Sequence, residues 1–326
     1  MLSHQHIDLA LPVWSLDWQG DQVVDPACGR SLPDGVYEGA PHLHYSFGTR
    51  FNGARSLQQG RYRVLYERRG TKGLLLKEGE IIREINRSYY HSEKYEYPVA
   101  LWERASGQVC VIHCPEEYKR LEIEDFETGE RLSSQPGRKL NDIFHGYLEV
   151  SPNGRYLASG GWVWHPWCIQ QVYDLEGCVA DPRLLDGSGC GPQTDSEIAT
   201  VHFFGESRLL VLSSFEDIYD PEEDYDFPPR HLGIYDLKDN SLLSKHHLST
   251  PYDLVPVDDT LAWSLDGHVG LFDLKAGKLL ETVPGLGSHW HVGPFGEVRA
   301  GQSAAMSRDR KQLALASGTS LDIISL

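Results

Sequence analysis

The sequence has no long apolar run and little helical periodicity. No stretch of its 326 residues approaches the roughly 18 uninterrupted apolar residues that a membrane-spanning helix needs. The opening residues MLSHQHIDLALPVW lack the basic and apolar regions of a secretory signal. Apolar residues do not recur at a sustained 3.6-residue spacing. We therefore expect a cytoplasmic protein with negligible helix and no membrane partner.

Basic residues and cysteines are also scarce. The chain has 30 Lys and Arg against 47 Asp and Glu, which gives a formal net charge of −17. This balance argues against nucleic acid or an anionic membrane as a partner, because both are negatively charged, and it permits a basic protein partner. Six cysteines spread over a chain of this length favour free thiols over a disulfide framework.

What the chain does contain is a repeat. Segments with an apolar run, an aspartate and a polar turn recur, and their aspartates are Asp125, Asp174, Asp236 and Asp273. Ahead of each lie two more strand-like runs joined by a turn, most clearly in GYLEVSPNGRYLASGGWV, where Pro-Asn-Gly is a hairpin signal. Four short strands in each repeat of about 40 to 50 residues are typical of a β-propeller blade.

The chain resembles WD40-like repeat proteins over roughly residues 44 to 326. The motifs that carry the resemblance are SPNGRYLASGGW…YDL at 151–175 and, more loosely, LAWSLDGHVGLFDLKAGKLLETV at 261–283. The resemblance implies an all-β fold, with residues 1–326 forming a single β-propeller domain. The family's Trp-Asp pair is replaced by other residues before the aspartate, and Gly-His is not regularly placed. The family's structural hydrogen-bond tetrad therefore cannot be assigned here.

A repeat of about 47 residues predicts seven four-stranded blades. Six of them are expected near 44–88, 89–137, 138–190, 191–249, 250–288 and 289–326. The segment VWSLDWQGDQVVDPACG from Val13 can supply two strands of the seventh. Alternatively, the N-terminal segment lends one outer strand to the unit that ends in LDIISL, and the ring has six blades. Under either alternative the N- and C-terminal segments pair, because an open propeller leaves an exposed sheet edge.

The longest loops are predicted to lie on one face. In a four-stranded meander, the loop between the second and third strands lies on the same face as the linker to the next blade. The acidic segment SSFEDIYDPEEDYDFPPR at 213–230 and the tryptophan loop at 164–167 are such loops, and two aromatic linkers join them. Long aromatic loops opposite tight turns suggest a binding face. The candidate partner-binding residues are Tyr89, Tyr90, Tyr95, Trp164, His165, Trp167, Phe215, Glu216, Asp217, Tyr219, Asp220, Glu222, Glu223, Asp224, Tyr225, Asp226, Phe227 and Trp290.

No catalytic motif is found in the sequence. A nucleophile elbow, a P-loop and a dinucleotide fingerprint are all lacking. The segment CVIHC at 110–114 is predicted to be a buried strand, because its two cysteines share one face while the histidine points to the other. His-x-His pairs at 4/6, 42/44 and 289/291 could hold a metal, but no further ligand can be assigned. We expect neither cofactor nor metal, with His42, His44, His289 and His291 as the remaining metal candidates.

The sequence therefore predicts a non-catalytic propeller that binds a protein, of basic charge, through its acidic and aromatic face. An inhibitor that covers a basic protein, such as an immunity protein, would suit the acidic loop. The alternative is an enzyme or small-molecule binder that uses the central channel. For that alternative the ends of the first strands offer only Glu149, Ser151, His202 and Trp263. The partner's identity and the oligomeric state do not follow from the sequence.

Overall fold

The computed structural model describes residues 2–33, 51–164, 167–216, 220, 222, 224–288 and 302–326. Within these ranges, 25 β-strands form seven antiparallel sheets. No helix in these ranges is long and apolar enough to span a bilayer.

The first strand of the chain, β1 (Ser3–Asp8), belongs to the last sheet, and the other sheets follow in chain order. Blade 1 contains β2 (Asp17–Gln19), β3 (Gln22–Asp25) and β4 (Arg30–Ser31). Blade 2 contains β5 (Gly53–Leu57), β6 (Tyr62–Tyr66), β7 (Lys72–Lys77) and β8 (Glu80–Asn86). Blade 3 contains β9 (Val99–Glu103), β10 (Val109–His113) and β11 (Glu122–Asp125). Blade 4 contains β12 (Phe144–Val150), β13 (Tyr156–Val163) and β14 (Trp167–Asp174).

The remaining three blades have four strands each. Blade 5 contains β15 (Ile198–Phe204), β16 (Arg208–Ser213), β17 (His231–Asp236) and β18 (Ser241–His247). Blade 6 contains β19 (Leu254–Pro256), β20 (Leu261–Ser264), β21 (Gly270–Asp273) and β22 (Lys278–Thr282). Blade 7 contains β23 (Gln302–Met306), β24 (Gln312–Ser317), β25 (Ser320–Ser325) and the N-terminal β1.

The first strands of the blades line the centre of a ring. Contacts join β23 to β2, β2 to β5, β5 to β9, β9 to β12, β12 to β15 and β15 to β19. The first strand of each blade is therefore innermost, and these strands surround a central channel. The architecture is a seven-bladed β-propeller. The prediction of seven blades is confirmed, and the alternative of six is wrong.

The N-terminal segment both supplies the outer strand of the last blade and forms a blade of its own, the two alternatives that the sequence left open. Strand β1 pairs antiparallel with β25, from Ser3 opposite Ser325 to Asp8 opposite Ser320, and this pairing closes the ring. Residues 17–31 form a separate blade. The indole of Trp18 in that blade donates a 3.0 Å hydrogen bond to the carbonyl of Ala305 in blade 7.

The recurring aspartate has a local structural role. In four blades it is the last residue of the third strand, and its carboxylate accepts hydrogen bonds from backbone N–H groups of the next turn. Asp273, for example, accepts from the N–H groups of Lys275 and Ala276, both at 2.8 Å. Such an Asx turn reverses the chain at low cost. The other three aspartates are Asp125, Asp174 and Asp236.

Blade 4 departs from the predicted pattern after this aspartate. Asp174 caps a short helix, α1 (Leu175–Ala180), by accepting a hydrogen bond from the N–H of Gly177. Leu175 and Cys178 on this helix are buried in a cluster with residues of blade 3. In the described part of the chain, blades 1, 3 and 4 have three strands each and the other four blades have four.

The core lies between neighbouring sheets. All residues of β10 are buried, as predicted for the segment that contains Cys110. Cys110 and Ile112 pack in a cluster shared with blade 4, whereas Val109 and Val111 pack in a cluster shared with blade 2. Alternate side chains of one strand thus fill two inter-blade spaces. All six cysteines are free thiols.

Candidate binding face and central channel

The long loops meet on one face, which we call the loop face. It comprises the loops between second and third strands and the linkers between blades. Ring contacts join Tyr90 of the linker between blades 2 and 3 to Tyr118 of the β10–β11 loop. They also join His91 of the same linker to Trp164 of the β13–β14 loop. The linker between blades 2 and 3 thus lies on the same face as the β10–β11 and β13–β14 loops.

A buried arginine shapes the linker between blades 2 and 3. The guanidinium of Arg87 donates to the carbonyls of Gly70, Ser92, Tyr95 and Glu96, at 2.7 to 3.0 Å. Four carbonyls are thus held around one cation. This arrangement fixes a compact linker. Its tyrosines Tyr89 and Tyr90 are exposed to solvent, whereas Tyr95 and Tyr97 are buried.

Six rings form an aromatic cluster on the loop face. At its centre Tyr118, Phe144 and Trp162 are stacked, with centroid distances of 3.9 Å and 4.0 Å across Phe144. Trp164 packs edge-on against Trp162 at 5.4 Å. The members of the aromatic cluster are Tyr90, His91, Tyr118, Phe144, Trp162 and Trp164.

The cluster has a buried base and exposed rings. Phe144 and Trp162 are 0% and 5% exposed, whereas Trp164 is 50% exposed and Tyr90 is 44% exposed. The buried rings are held by the blades on both sides, so they form a rigid support. The exposed rings are large apolar surfaces that a partner could cover.

The acidic loop between β16 and β17 is anchored at its C-terminal end. Asp195 accepts hydrogen bonds from the backbone N–H groups of Asp226 and Phe227, at 2.8 and 3.0 Å. The ring of Phe227 is fully buried between blades 4 and 5. The acidic side chains that the structure describes are exposed, namely Glu216, Asp220, Glu222, Asp224 and Asp226.

The acidic loop lies beside the tryptophan loop. The backbone N–H of Cys168 donates to Glu197 at 3.0 Å. The pKa of the Cys168 thiol is raised by burial first and then by the negative charges of Glu197 and Glu216. Glu216 therefore begins the acidic loop close to Trp167, which is 38% exposed. Cys168 itself packs against the buried rings of Phe144 and Trp162, so the start of the acidic loop lies near the base of the aromatic cluster.

The structure divides the predicted partner-binding residues into three groups. Tyr95 and Phe227 are 1% and 0% exposed, so they pack in the interior and do not belong to the surface. The second group is at least partly accessible to a partner: Phe215 and Tyr225 are half-buried, and Tyr89 is 86% exposed. The third group lies outside the described residues and comprises His165, Asp217, Tyr219, Glu223 and Trp290. The metal candidates His42, His44, His289 and His291 also lie outside the described residues.

The central channel contains a polar network that crosses the ring. Arg310, in the turn after β23 of blade 7, donates at 2.6 Å to Glu149 of blade 4. It also donates to the carbonyls of Phe203 and Pro256 in blades 5 and 6. The carboxylate of Glu149 contacts His202 Nδ1 of blade 5 at 2.7 Å. One guanidinium thus ties four blades together.

Glu149 is held in its ionised form. Burial alone would raise its pKa, but the charges and hydrogen bonds of His202 and Arg310, with a hydrogen bond from the Tyr147 hydroxyl, lower it to about 2. At neutral pH this carboxylate neither gives up nor takes up a proton. It is therefore poorly suited to act as a catalytic acid or base.

A second arginine lies in the channel. Arg55, in the middle of β5 of blade 2, has its guanidinium 5.9 Å from the ring centroid of Tyr147 in blade 4. The two side chains approach each other past the intervening blade 3, so they meet inside the channel. The acidic groups that act on the charge of Arg55 include Asp17, Glu96 and Glu149.

Sequence reasoning missed several of these residues. Glu149 and His202 were noted, but Arg55, Tyr147 and Arg310 were not. Tyr147 and Glu149 are two residues apart on one strand, which places them on the same side, and this alternation is the signal that the sequence offered. Arg310 lies in an ordinary polar turn and gave no signal.

The structure offers no cluster of metal ligands in its described residues, where no group of three His, Cys, Asp or Glu could hold an ion. His4 and His6 do share a face of β1, as their spacing predicts. Both imidazoles contact one carboxylate oxygen of Asp322 on β25, at 2.8 and 2.7 Å. This pair therefore contributes to ring closure.

Comparison with known proteins shows the fold. No protein-family model matches the chain, and no curated protein matches it by sequence. A chain of the solved structure titled "Crystal Structure of Mitotic Checkpoint Complex" matches 99% of this chain and 93% of its own length, with a TM-score of 0.58 and 12% identity. With the seven sheets, this match confirms the fold-level resemblance to WD40-like propellers. Because 685 solved chains match, the fold alone does not choose a function.

Proposed function

We propose that this chain is a non-catalytic propeller that binds a basic protein through its loop face. The observation that carries the proposal is the aromatic cluster, in which exposed Tyr90 and Trp164 rest on the buried rings of Phe144 and Trp162. Aromatic anchors on a rigid base are the residues that contribute most to protein interfaces.

The acidic loop supplies the second part of the interface. Its exposed carboxylates lie beside the exposed rings, so a partner with a basic surface gains attraction and orientation before the rings are covered. Such a surface would suit an inhibitor, for example an immunity protein, that binds a basic protein and blocks its activity. A strongly acidic partner is disfavoured, because the chain's net charge of −17 would repel it.

An enzyme in the central channel is the less favoured function. Its best candidate acid or base, Glu149, is ionised and fully engaged with Arg310 and His202. The channel groups instead hold blades together, which is a structural role.

The test is affinity capture from the native host with three immobilised proteins: the unchanged chain, Tyr90→Ala/Trp164→Ala, and the control Leu243→Ala/Leu280→Ala. The control side chains are 51% and 48% exposed and lie on the outer strands of blades 5 and 6. We expect a basic protein to be captured by the unchanged chain and the control, and lost with the aromatic variant. Equal capture by all three, or an acidic captured protein, would contradict the proposal.

A further inference from the structure

The linker that joins β1 to blade 1 crosses the loop face. The N–H groups of Leu9 and Val13 in this linker donate to the carbonyls of Thr319 and Gly318, at 2.7 and 3.0 Å. These carbonyls belong to the turn between β24 and β25, which joins a second strand to a third strand. The linker therefore lies on the same face as the aromatic cluster.

The apolar residues of this linker divide between the interior and the surface. Leu9 and Val13 are buried in a cluster with residues of blades 1 and 7. Leu11 is 59% exposed and Trp14 is 40% exposed. We call Leu11 and Trp14 the linker patch. The buried leucine and valine hold the backbone against the ring, and the two residues of the patch present large apolar surfaces to solvent.

A buried carboxylate fixes the backbone of the linker patch. Asp25, which is 0% exposed, accepts hydrogen bonds from the N–H groups of Trp14 and Ser15, at 3.1 and 3.2 Å. Arg30 donates to the same carboxylate at 3.1 Å and to the carbonyl of Pro12 at 2.6 Å. The charges of this arginine and this aspartate balance each other. Because its backbone is already ordered, the patch loses little conformational entropy when a partner covers it.

The exposed rings of the aromatic cluster are too small for a stable interface by themselves. A stable protein complex buries about 800 Å² on each partner. A fully covered aromatic side chain contributes about 150 to 250 Å², so the half-exposed rings of Tyr90 and Trp164 contribute on the order of 200 Å² together. A partner must therefore cover more of the loop face. In the described part of the chain, the exposed large apolar side chains of this face that lie away from the cluster and the acidic loop are Leu11 and Trp14.

We infer that the linker patch is a second anchor for the basic partner of the proposed function, on which this inference rests. Blades 1 and 2 separate the two anchors, because the patch precedes blade 1 and Tyr90 lies between blades 2 and 3. A partner that reaches both anchors extends over the mouth of the central channel. Its contact with the patch is an apolar surface with basic side chains beside it, since Asp8 at the start of the linker is 95% exposed.

The test is hydroxyl-radical footprinting of the chain in buffer and in native-host extract, with the oxidation of each side chain read by mass spectrometry. We expect the extract to protect Leu11 and Trp14 together with Tyr90 and Trp164. In the variant Tyr90→Ala/Trp164→Ala, the protection of the linker patch should be lost, because one partner covers both anchors. Protection that persists in this variant would assign the patch to a different partner. Protection that rises with chain concentration in buffer would assign it to a second copy of the chain. Either result would overturn the inference.

The footprint also separates this inference from the proposed function. If Tyr90 and Trp164 are protected while Leu11 and Trp14 are not, the second anchor is wrong and the proposed function stands. If neither pair is protected, both are wrong.

Affinity measurements use the basic protein isolated by the capture experiment as the probe. The variant Leu11→Ala/Trp14→Ala should raise its Kd at least tenfold, whereas the control Leu243→Ala/Leu280→Ala should leave the Kd unchanged. Leu11→Ala alone should raise the Kd about fivefold and leave the melting temperature unchanged, because this side chain is mostly exposed. It therefore keeps the test valid if the double variant is unstable. Equal binding by the unchanged chain and Leu11→Ala would contradict the second anchor.

Discussion

Arg310 and Glu149 form an ion pair across the propeller, with 2.6 Å between Nη2 of the arginine and Oε1 of the glutamate. Arg310 belongs to blade 7 and Glu149 to blade 4, so two blades separate them along the shorter path around the ring. Most contacts in a propeller join neighbouring blades. This pair adds a direct connection through the centre, and its loss should destabilise the whole ring.

Arg310→Gln should therefore destabilise the protein strongly. The substitution leaves the mostly buried carboxylate of Glu149, which is 11% exposed, without its main cation. Removing one partner of a buried pair costs about 3 kcal/mol of the free energy of unfolding. Urea denaturation followed by tryptophan fluorescence measures this loss.

The control for this prediction is Arg155→Gln. Arg155 also forms an ion pair, with Asp174, but its side chain is 60% exposed. Its replacement should cost no more than about 1 kcal/mol. If both variants lose the same stability, Arg310 does not act as a central connection.

The second prediction concerns acid. The pKa of Glu149 is about 2 in the folded protein, below its ordinary value of 4.5. Ionised Glu149 thus stabilises the fold fully above pH 4.5, and this contribution is lost as the pH falls from 4.5 towards 2. The stability difference between the unchanged chain and Glu149→Gln should shrink over this interval. Urea denaturation at several pH values measures it, and a constant difference would contradict the assignment.

The third prediction concerns ring closure. The hydrogen bond with Asp322 and its negative charge raise the pKa of His6 above 6.5. The stabilisation is therefore complete below pH 6.5 and is lost as the pH rises through the folded-state pKa. Replacing His6 with Gln should lower the melting temperature more at about pH 5.5 than at about pH 8.5. In an Asp322→Asn background the same replacement should have no pH-dependent effect, and a persisting effect would assign it to Asp8 instead.

The fourth prediction concerns the acidic loop. Serine at four of its acidic positions should leave the melting temperature nearly unchanged, because the described side chains among them are exposed. Association with the partner should slow about tenfold or more at low salt, and less at high salt, since salt screens steering charges. Stopped-flow association kinetics measure both. The four positions are Glu222, Glu223, Asp224 and Asp226.

The matched control removes the same charge from the opposite face. Four exposed acidic residues lie at or next to its short turns, namely Asp21, Glu80, Glu206 and Asp239, and Glu80 is the first residue of β8. Their replacement by serine changes the net charge equally and should slow association much less. Equal slowing by both quadruple variants would mean that net charge, rather than the loop, steers the partner.

Much of the fold could be predicted because its signals are local. The aspartate that ends a third strand forms its turn with residues two or three positions away, so the pattern is visible in the sequence. The helix α1 could not be predicted in this way. Asp174 begins it with the same type of bond, and what distinguishes it is the packing of Leu175 and Cys178 against blade 3.

The candidate site was predicted less completely, because its residues converge from distant segments. Trp164 and Tyr90 were identified from their loops, but Phe144 and Tyr118 join them only through the arrangement of blades. Tyr95 was placed on the surface by the sequence. It is buried because Arg87 holds its carbonyl and lies 4.5 Å from its ring. Such contacts are not encoded in any short motif.

The pairing of β1 with β25 also sets an order of events during synthesis. Strand β1 is synthesised before strands β2 to β25, and its backbone groups stay unpaired until β25 has been synthesised. A waiting strand is exposed to aggregation with other nascent chains. Its sequence, SHQHID, is polar and stays mostly exposed in the folded ring. The composition that makes β1 a weak contributor to the core thus protects the chain while it is still incomplete.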